Sequence, residues 1–160
     1  MDYLTHNVEE HTKFKELMKK IEKTDDKAKR EELFIELYAT LHGHHESEEH
    51  VIFPVVMEAL TEEEDKNILR EMIEEHSLGM YQFSVIHKTG LDNETWDAKF
   101  SVLKEVLEHH MEEEEDDFTK MARKALPKER FEELLDPFEE ALTKYKEEKL
   151  NDLQEPEGHL

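Results

Sequence analysis

The chain contains no cysteine among its 160 residues. Without thiols it has no disulfides, iron–sulfur clusters, thiolate nucleophile or sulfur-containing zinc site, so a bound metal would have to be held by His, Asp or Glu. Only four glycines are present, at 43, 79, 90 and 158, which is too few for a glycine-rich phosphate-binding loop. These absences argue against thiol chemistry and against the familiar nucleotide-binding enzymes.

Long apolar runs and large basic clusters are also missing. The longest uncharged apolar stretch, Val51 to Met57, has seven residues, against the roughly 20 needed to span a bilayer. The first twenty residues contain acids and four lysines where a signal peptide would be apolar. With 43 acidic and 21 basic residues the formal charge is −22, which disfavours nucleic acid and anionic membranes. We therefore expect a cytoplasmic protein with no membrane or nucleic-acid partner.

Helical periodicity is the dominant pattern that is present. Apolar residues recur every three or four positions over almost the whole chain, which is typical of amphipathic helices. The pattern predicts four long helices over about 3–23, 30–59, 61–88 and 94–125, and a fifth that runs to about 150. Thr61 and Glu64 form a predicted capping box, Gly90 ends the third helix, and Pro54 and Pro137 are expected to kink or split their helices.

Long helices joined by short loops favour an all-α, antiparallel up-down four-helix bundle with an additional C-terminal helix. The expected division is a bundle over 1–125, a helical extension over 126–150 and a flexible tail over 151–160.

A repeat relates the two halves of the chain. Each half contains Glu-Glu-His and, 33 or 34 residues later, a histidine that is followed four positions on by a glutamate. The six residues are His11, His44, Glu48, His76, His110 and Glu114. Aliphatic residues lie seven and three positions before each histidine: Leu4, Leu37, Leu69, Leu103, Val8, Leu41, Ile73 and Leu107. These positions share a helical face with the histidine, so the spacing predicts that all six polar residues face the core.

Six polar residues at core positions need a common partner. A single histidine there is usually a hydrogen-bonded core residue, but two carboxylates are rarely buried unpaired. Cations would satisfy all six, because each histidine offers one nitrogen and each glutamate can bridge two metals. A sulfur-free set of this kind suits iron or manganese, with zinc possible. Each metal would have two histidines and two carboxylate oxygens, with room for a bridging oxide or hydroxide and an open position.

Alternative metal-binding patterns fit the sequence less well than this one. Ferritin-like bundles use Glu-x-x-His pairs, and no histidine here has a glutamate three residues before it. The zinc-protease pattern fails because His45-Glu46 reaches His50 with one residue too many. In the fourth helix, His109 with Glu113 has the same spacing as the chosen pair. Its neighbour eight residues after the histidine is Asp117, which is wrong for a core, so the pair at 110 and 114 is favoured.

The motifs resemble those of the hemerythrin-like, HHE cation-binding family. They are EEH at His11 and at His76, HHESEEHVIFP from His44 to Pro54, and VLEHHMEEEEDDF from Val106 to Phe118. The resemblance covers about Leu4 to Met121 and implies a four-helix bundle around a non-haem di-iron centre, of the four-His/two-Glu type. It implies that the four histidines are terminal ligands of two Fe ions, that the two glutamates bridge them, and that the centre meets O2, peroxide or nitric oxide.

The same resemblance bears on the choice of function. Oxygen-carrying hemerythrins have a further histidine one turn after the third ligand, where this chain has Met80, and this difference favours an open metal position over simple reversible O2 carriage. The expected function is binding of O2 or reaction with peroxide or nitric oxide, with catalase-like turnover as one form. Sensing of iron or oxygen, iron storage and repair of iron centres without turnover are the alternatives, and the sequence identifies no protein partner.

Several further residues lie near the predicted ligands. Glu49 and Glu115 follow the two bridging candidates and are expected on the solvated surface, with coordination or proton positioning as the alternative. An exposed face is also favoured over a role beside the metals for four histidines: His42, His45, His50 and His109. His87 shares the face of His76 but lies about 16 Å along the helix, too far for the same centre. Gly79 faces inward and is expected to allow close helix packing.

Overall fold

The computed structural model describes residues 1–154, which form helices and no strand. The helices are α1 (Tyr3–Lys23), α2 (Lys27–Ser47), α3 (Phe53–Ala59), α4 (Glu63–Thr89), α5 (Trp96–Glu113), α6 (Thr119–Ala125) and α7 (Lys128–Gln154). A first π-helical segment (Glu48–Ile52) joins α2 to α3, and a second (Glu114–Phe118) joins α5 to α6. The chain thus makes four long bundle helices plus α7, and the predicted all-α bundle with an additional C-terminal helix is confirmed. None of the described helices is long and apolar enough to cross a bilayer.

Local capping interactions set the start of α2 and the end of α4. α2 begins at Lys27 rather than near Arg30, because the Asp26 carboxylate accepts the backbone N–H of Ala28 at 3.3 Å and caps the helix. Gly90 ends α4 as predicted, with a φ of 80° that favours glycine over any residue with a side chain.

The structure departs from the sequence predictions at Thr61 and at Pro137. No capping box forms at Thr61, because α4 begins after Glu62 and no side chain caps it. Pro137 does not split the fifth helix, because it lies on the exposed face of α7, where solvent can hydrogen-bond the carbonyl that lacks its helical partner. α7 also continues to Gln154, past the predicted start of the tail at 151, and the rest of that tail lies outside the described residues. The division into domains stays a prediction.

A π segment adds a residue to its turn and can shift the buried face of the helix that follows, and the first π segment does so. Periodicity predicts a core position for Val55, eleven residues after His44. Instead Val56 is fully buried and Val55 is only half-buried. Pro54 lies in the first turn of α3, directly after the first π segment, where a missing backbone donor is tolerated best.

The core consists of two apolar clusters with a polar layer between them. One cluster contains residues such as Phe34 and Phe83, and the other contains residues such as Ile52 and Phe118. On each bundle helix the histidine of the repeat lies between a residue of one cluster and a residue of the other. The fold therefore places the repeat histidines at one level, in the middle of the bundle.

The C-terminal helix α7 covers one side of the bundle. It packs along α2 and also contacts α1 and the first π segment. The close approach requires Gly43, because an added Cβ there would lie 2.7 Å from the carbonyl oxygen of Leu142 and 3.1 Å from the backbone nitrogen of Lys146. The Ser47 hydroxyl reinforces the contact by donating to the carbonyl oxygen of Phe138 at 2.6 Å.

Replacing Gly43 with alanine should destabilise the protein by about 1–3 kcal/mol, because the new methyl group meets the backbone of α7. Gly79→Ala is the matched control. Gly79 is also a buried helical glycine, but its nearest contact for an added Cβ is an ordinary 3.4 Å to Leu107 Cδ2. We expect this control to gain up to about 1 kcal/mol from helix propensity. Urea unfolding of the metal-free proteins measures both changes, and equal effects would contradict the role given to Gly43.

Candidate metal centre

The structure brings the six repeat residues together in the polar layer. The four histidines come from α1, α2, α4 and α5, and each glutamate is the first residue of a π segment. Their exposed fractions are His11 2%, His44 1%, Glu48 0%, His76 2%, His110 3% and Glu114 0%. Six titratable side chains are thus removed from solvent at one level of the bundle.

Two overlapping groups of potential ligand atoms share one carboxylate. The first group is His11, His44 and Glu114, and the second is Glu48, His76, His110 and Glu114. Within each group the ligand atoms lie within 4.8 Å of one another. Glu48 also faces both sides, since its Oε1 is 3.3 Å from His76 Nε2 and 3.7 Å from His44 Nε2. Two metal positions that share carboxylates would account for this overlap.

The spacing of the donor atoms fits ligands around a single ion on each side. His76 Nε2 and His110 Nε2 face each other at 3.0 Å. Two nitrogens bound at a right angle to one metal, each about 2.1 Å away, would be about 3.0 Å apart. Glu114 shows similar distances on both sides, with Oε2 at 3.3 Å from His110 Nε2 and Oε1 at 3.2 Å from His11 Nε2.

Several of these buried atoms have no hydrogen-bond partner within residues 1–154. They are both ring nitrogens of His44, Oε1 of Glu48 and Oε2 of Glu114. A buried polar atom left unpartnered costs about 1–3 kcal/mol, and a carboxylate oxygen costs more because it carries charge. Metal cations would satisfy one ring nitrogen of His44 and both carboxylate oxygens, so the residues fit a metal centre.

The two glutamates have opposite pKa shifts. Burial, together with the neighbouring Glu114 carboxylate, raises the pKa of Glu48 well above its ordinary value. Burial also acts to raise the pKa of Glu114, but the adjacent imidazoles of His11 and His110 outweigh it and hold that pKa well below the ordinary value. The metal-free centre therefore keeps a proton on Glu48 more readily than on Glu114.

The histidines differ in the same way. Burial lowers the pKa values of His44 and His76 well below the ordinary value, so both imidazoles are neutral and able to bind a metal. Burial acts to lower the pKa of His110 as well, but the adjacent Glu114 carboxylate and the hydrogen bond with Glu75 raise it to about 9. In the metal-free protein, His110 and Glu114 therefore form a buried ion pair.

Two residues of α1 hold the carboxylates, and sequence reasoning missed both. The Tyr3 hydroxyl donates to Glu48 Oε2, and Asn7 Nδ2 donates to Glu114 Oε1. They lie eight and four residues before His11 and share its face, whereas Val8, a predicted core position, is 40% exposed. Burial raises the pKa of Tyr3, which keeps it a donor. The spacing of four between Tyr3, Asn7 and His11 is the signal that could have found them.

Three of the four repeat imidazoles have a carboxylate at Nδ1. The pairs are His11 with Glu115 at 2.9 Å, His76 with Glu49 at 2.8 Å and His110 with Glu75 at 2.8 Å. Such partners fix the orientation of a metal-binding imidazole and raise its basicity. The expectation of a solvated surface position for Glu49 and Glu115 is therefore wrong. Their side chains are only 28% and 26% exposed and each accepts from a buried histidine.

The fourth imidazole, His44, lacks a carboxylate at Nδ1 in the described part of the chain. Its ring instead has Phe138 of α7 edge-on at 5.3 Å and Phe14 edge-on at 5.4 Å. Glu10, which precedes His11 as Glu75 precedes His76, lies 3.4 Å from His6 instead. The C-terminal helix thus makes the surroundings of the two sides of the centre unequal.

The remaining histidines occupy different environments. His50 and His109 are exposed as expected and His42 is half-buried, but the prediction is wrong for His45, which is 3% exposed. Its ring stacks on that of His76, with centroids 3.9 Å apart. His87 is half-buried beside Tyr38, at 6.3 Å between ring centroids.

The alternative pair in the fourth helix, His109 with Glu113, lies outside the six-residue cluster. The side chain of His109 is 64% exposed and forms a surface group with Glu75 and Glu113.

Four helices that each deliver one buried imidazole to a shared pair of buried carboxylates define a helical-bundle protein with a site for metal cations. The family model of the hemerythrin HHE cation binding domain matches residues 4–122, which include nearly the whole of the four bundle helices and all six repeat residues. The chain belongs to this family, as its motifs predicted. Comparison with curated proteins and with solved structures finds no significant match.

Glu75→Gln should weaken metal binding about 10–100-fold, because a neutral amide removes the charge that supports His110 through Nδ1. Glu10→Gln is the matched control. Glu10 also directly precedes a repeat histidine and is similarly exposed, but its carboxylate pairs with His6 and Lys13. Competition with a chelator of known affinity measures both variants. Equal losses of affinity in the two would contradict a specific role for Glu75.

Proposed function

We propose that this chain is a non-haem di-iron protein that binds O2 or reacts with peroxide or nitric oxide at open metal positions. The observation that supports it best is a pair of fully buried carboxylates, Glu48 and Glu114, each close to histidines of both metal positions. In this proposal His11 and His44 hold one ion, His76 and His110 hold the other, and the two glutamates bridge them. The proposal keeps the cytoplasmic location expected from the sequence.

The choice of iron rests on the donor set. Imidazole and carboxylate ligands without sulfur suit iron and manganese, whereas structural zinc sites commonly use thiolates. Bound iron would supply electrons and an open coordination position for a small oxidising ligand. Manganese and zinc are the weaker alternatives, and the metal content of the purified protein distinguishes them.

The protein's own residues position and shield this centre. Tyr3 and Asn7 fix the carboxylates from one face of α1. Phe53 stacks on His76 with ring centroids 5.6 Å apart, and Phe14 lies against His44. These aromatic rings keep bulk water from the imidazoles, which strengthens electrostatic interactions inside the cluster.

Iron binding should be lost in His110→Ala and kept in His109→Ala. The two residues are adjacent on α5, so both substitutions alter helix propensity in the same way, but only His110 lies in the cluster. Glu114→Gln and Glu113→Gln form a second matched pair. Iron content by elemental analysis, and near-ultraviolet oxo-to-iron bands after exposure of the reduced protein to air, are the measurements.

Wild-type protein with only trace iron after anaerobic loading, or without an absorption change in air, would contradict the di-iron proposal. Loss of iron from His109→Ala but not from His110→Ala would contradict the assigned register.

Iron binding near pH 7 should release protons. His110, whose pKa is raised to about 9, carries a proton in the metal-free protein, and burial raises the pKa of Glu48 as well. Both groups must lose any proton before they bind metal, so binding weakens as the pH falls. Titration calorimetry in buffers of different ionisation enthalpy should show about one proton from His110 and up to about one more from Glu48. Proton release near zero would contradict the assignment of His110.

A further inference from the structure

A polar cavity leads from the surface to one side of the cluster. It has a volume of about 360 Å³ and is lined by residues of α2, α4 and the end of α7. Among its lining residues are His76, which belongs to the six-residue cluster, and His45, which stacks on it. A small molecule in this cavity would therefore be next to the His76 side of the centre.

The His44 side of the centre is closed by α7. Phe138 lies edge-on to His44, and the Ser47 bond to the Phe138 carbonyl oxygen holds α7 in place. His44 itself is 1% exposed. A second cavity, of about 170 Å³, lies near Phe53 and Ile73. Its lining includes Glu49 but none of the six repeat residues. The polar cavity is thus the more direct route to a metal ligand.

His45 has an unusual environment for a residue that belongs to neither metal position in the proposed function. It is 3% exposed, and its Nδ1 has no hydrogen-bond partner in the part of the chain that the structure describes. Its ring lies parallel to the His76 ring, with an angle of 7° between the planes. One ring nitrogen each of His45, His76 and His110 lies within 4.8 Å of the others, so distance alone would allow His45 to be a metal ligand. Because the His45 and His76 rings are stacked and parallel, the two rings cannot both direct an in-plane nitrogen at one ion, and we assign His45 to a bound small molecule.

The charges and polarity of the lining restrict the kind of molecule that fits. Two carboxylates, Glu46 and Glu49, and a single cation, Lys149, face the cavity, and the whole chain carries a formal charge of −22. This lining disfavours anions, and its hydrogen-bonding groups give no advantage to an apolar gas.

We propose that this cavity is the access route and binding subsite for a small, neutral, hydrogen-bonding oxidant, with hydrogen peroxide as the probe, and that His45 hydrogen-bonds this molecule beside His76. The proposal rests on the proposed metal centre and specifies its substrate class. Peroxide is uncharged near pH 7 and both donates and accepts hydrogen bonds, which matches the imidazole of His45 at the cavity wall.

Because the chain has no native cysteine, a single introduced cysteine can be modified to block the cavity at a chosen residue. Ser77, which directly follows His76, lines the cavity and is exposed, whereas Thr12, which directly follows His11, is exposed on α1. Ser77→Cys and Thr12→Cys proteins are loaded with iron and then modified with a bulky maleimide. We expect modification to abolish the peroxide-induced absorption change in Ser77→Cys and to leave it intact in Thr12→Cys. An unchanged rate in modified Ser77→Cys would overturn the proposed route.

His45→Phe tests the second part of the proposal, because phenylalanine keeps the ring that stacks on His76 but has no nitrogen. We expect normal iron content and an increase in KM for peroxide of about tenfold or more, as a lost hydrogen bond predicts. His50→Phe, on the exposed face nearby, is the control and should behave as wild type. A loss of iron in His45→Phe would instead identify His45 as a metal ligand and overturn its assigned role.

Azide tests the exclusion of anions independently of turnover. Glu46→Gln removes one carboxylate from the lining, so it should bind azide more tightly than wild type while its KM for peroxide stays the same. Equal azide affinities, measured from difference spectra, would contradict the proposed selectivity. If the wild-type protein does not bind iron, both the proposed function and the peroxide subsite are contradicted. If it binds iron but the maleimide-modified Ser77→Cys protein still reacts normally with peroxide, only the subsite is contradicted.

Discussion

Burial of two carboxylates within contact of each other is the constraint on which the rest of the structure depends. Glu48 and Glu114 are both fully buried, and two carboxylates in a shared apolar environment cannot both stay ionised without positive partners. These carboxylates belong to a polar network with the four imidazoles, with Tyr3 and Asn7 of α1, and with the carboxylates that accept from the imidazole Nδ1 atoms. Several buried polar atoms of this network have no hydrogen-bond partner in the described part of the chain. The four bundle helices hold this network at one level, between two apolar clusters that supply most of the hydrophobic burial.

Much of this arrangement could be predicted from sequence, because helical periodicity relates a residue to its neighbours on the same face. The duplicated histidine–glutamate spacing identified all six clustered residues. Periodicity gave the wrong burial where neighbouring helices cover a second face of the same helix. Tyr3 and Asn7 are buried while Val8 is exposed, and this choice is set by how α1 is rotated against its neighbours. His45 is buried by packing against α4, which no pattern within α2 reveals.

The C-terminal helix makes a nearly symmetric centre unsymmetric. The two halves of the chain supply equivalent histidines and glutamates, but α7 packs on only one of them, along α2. Its Phe138 contacts His44, where the other three imidazoles of the cluster have carboxylates at Nδ1. The two sides of the six-residue cluster thus differ in hydrogen bonding, in nearby charge and in exposure to the polar cavity. This inequality comes from an element outside the duplicated hairpins, and so it can change without altering the six repeat residues.

The two π segments also have a consequence for how relatives of this chain are compared. Each segment begins at a buried glutamate, and after the first one the core position moves from Val55 to Val56. A homologue with a regular helix at this point would place its equivalent core residue one position earlier. A correct alignment of the two would then need a one-residue gap in the middle of a helix, directly after a residue of the cluster. Alignments that forbid gaps within helices would pair the wrong core residues over the rest of that helix.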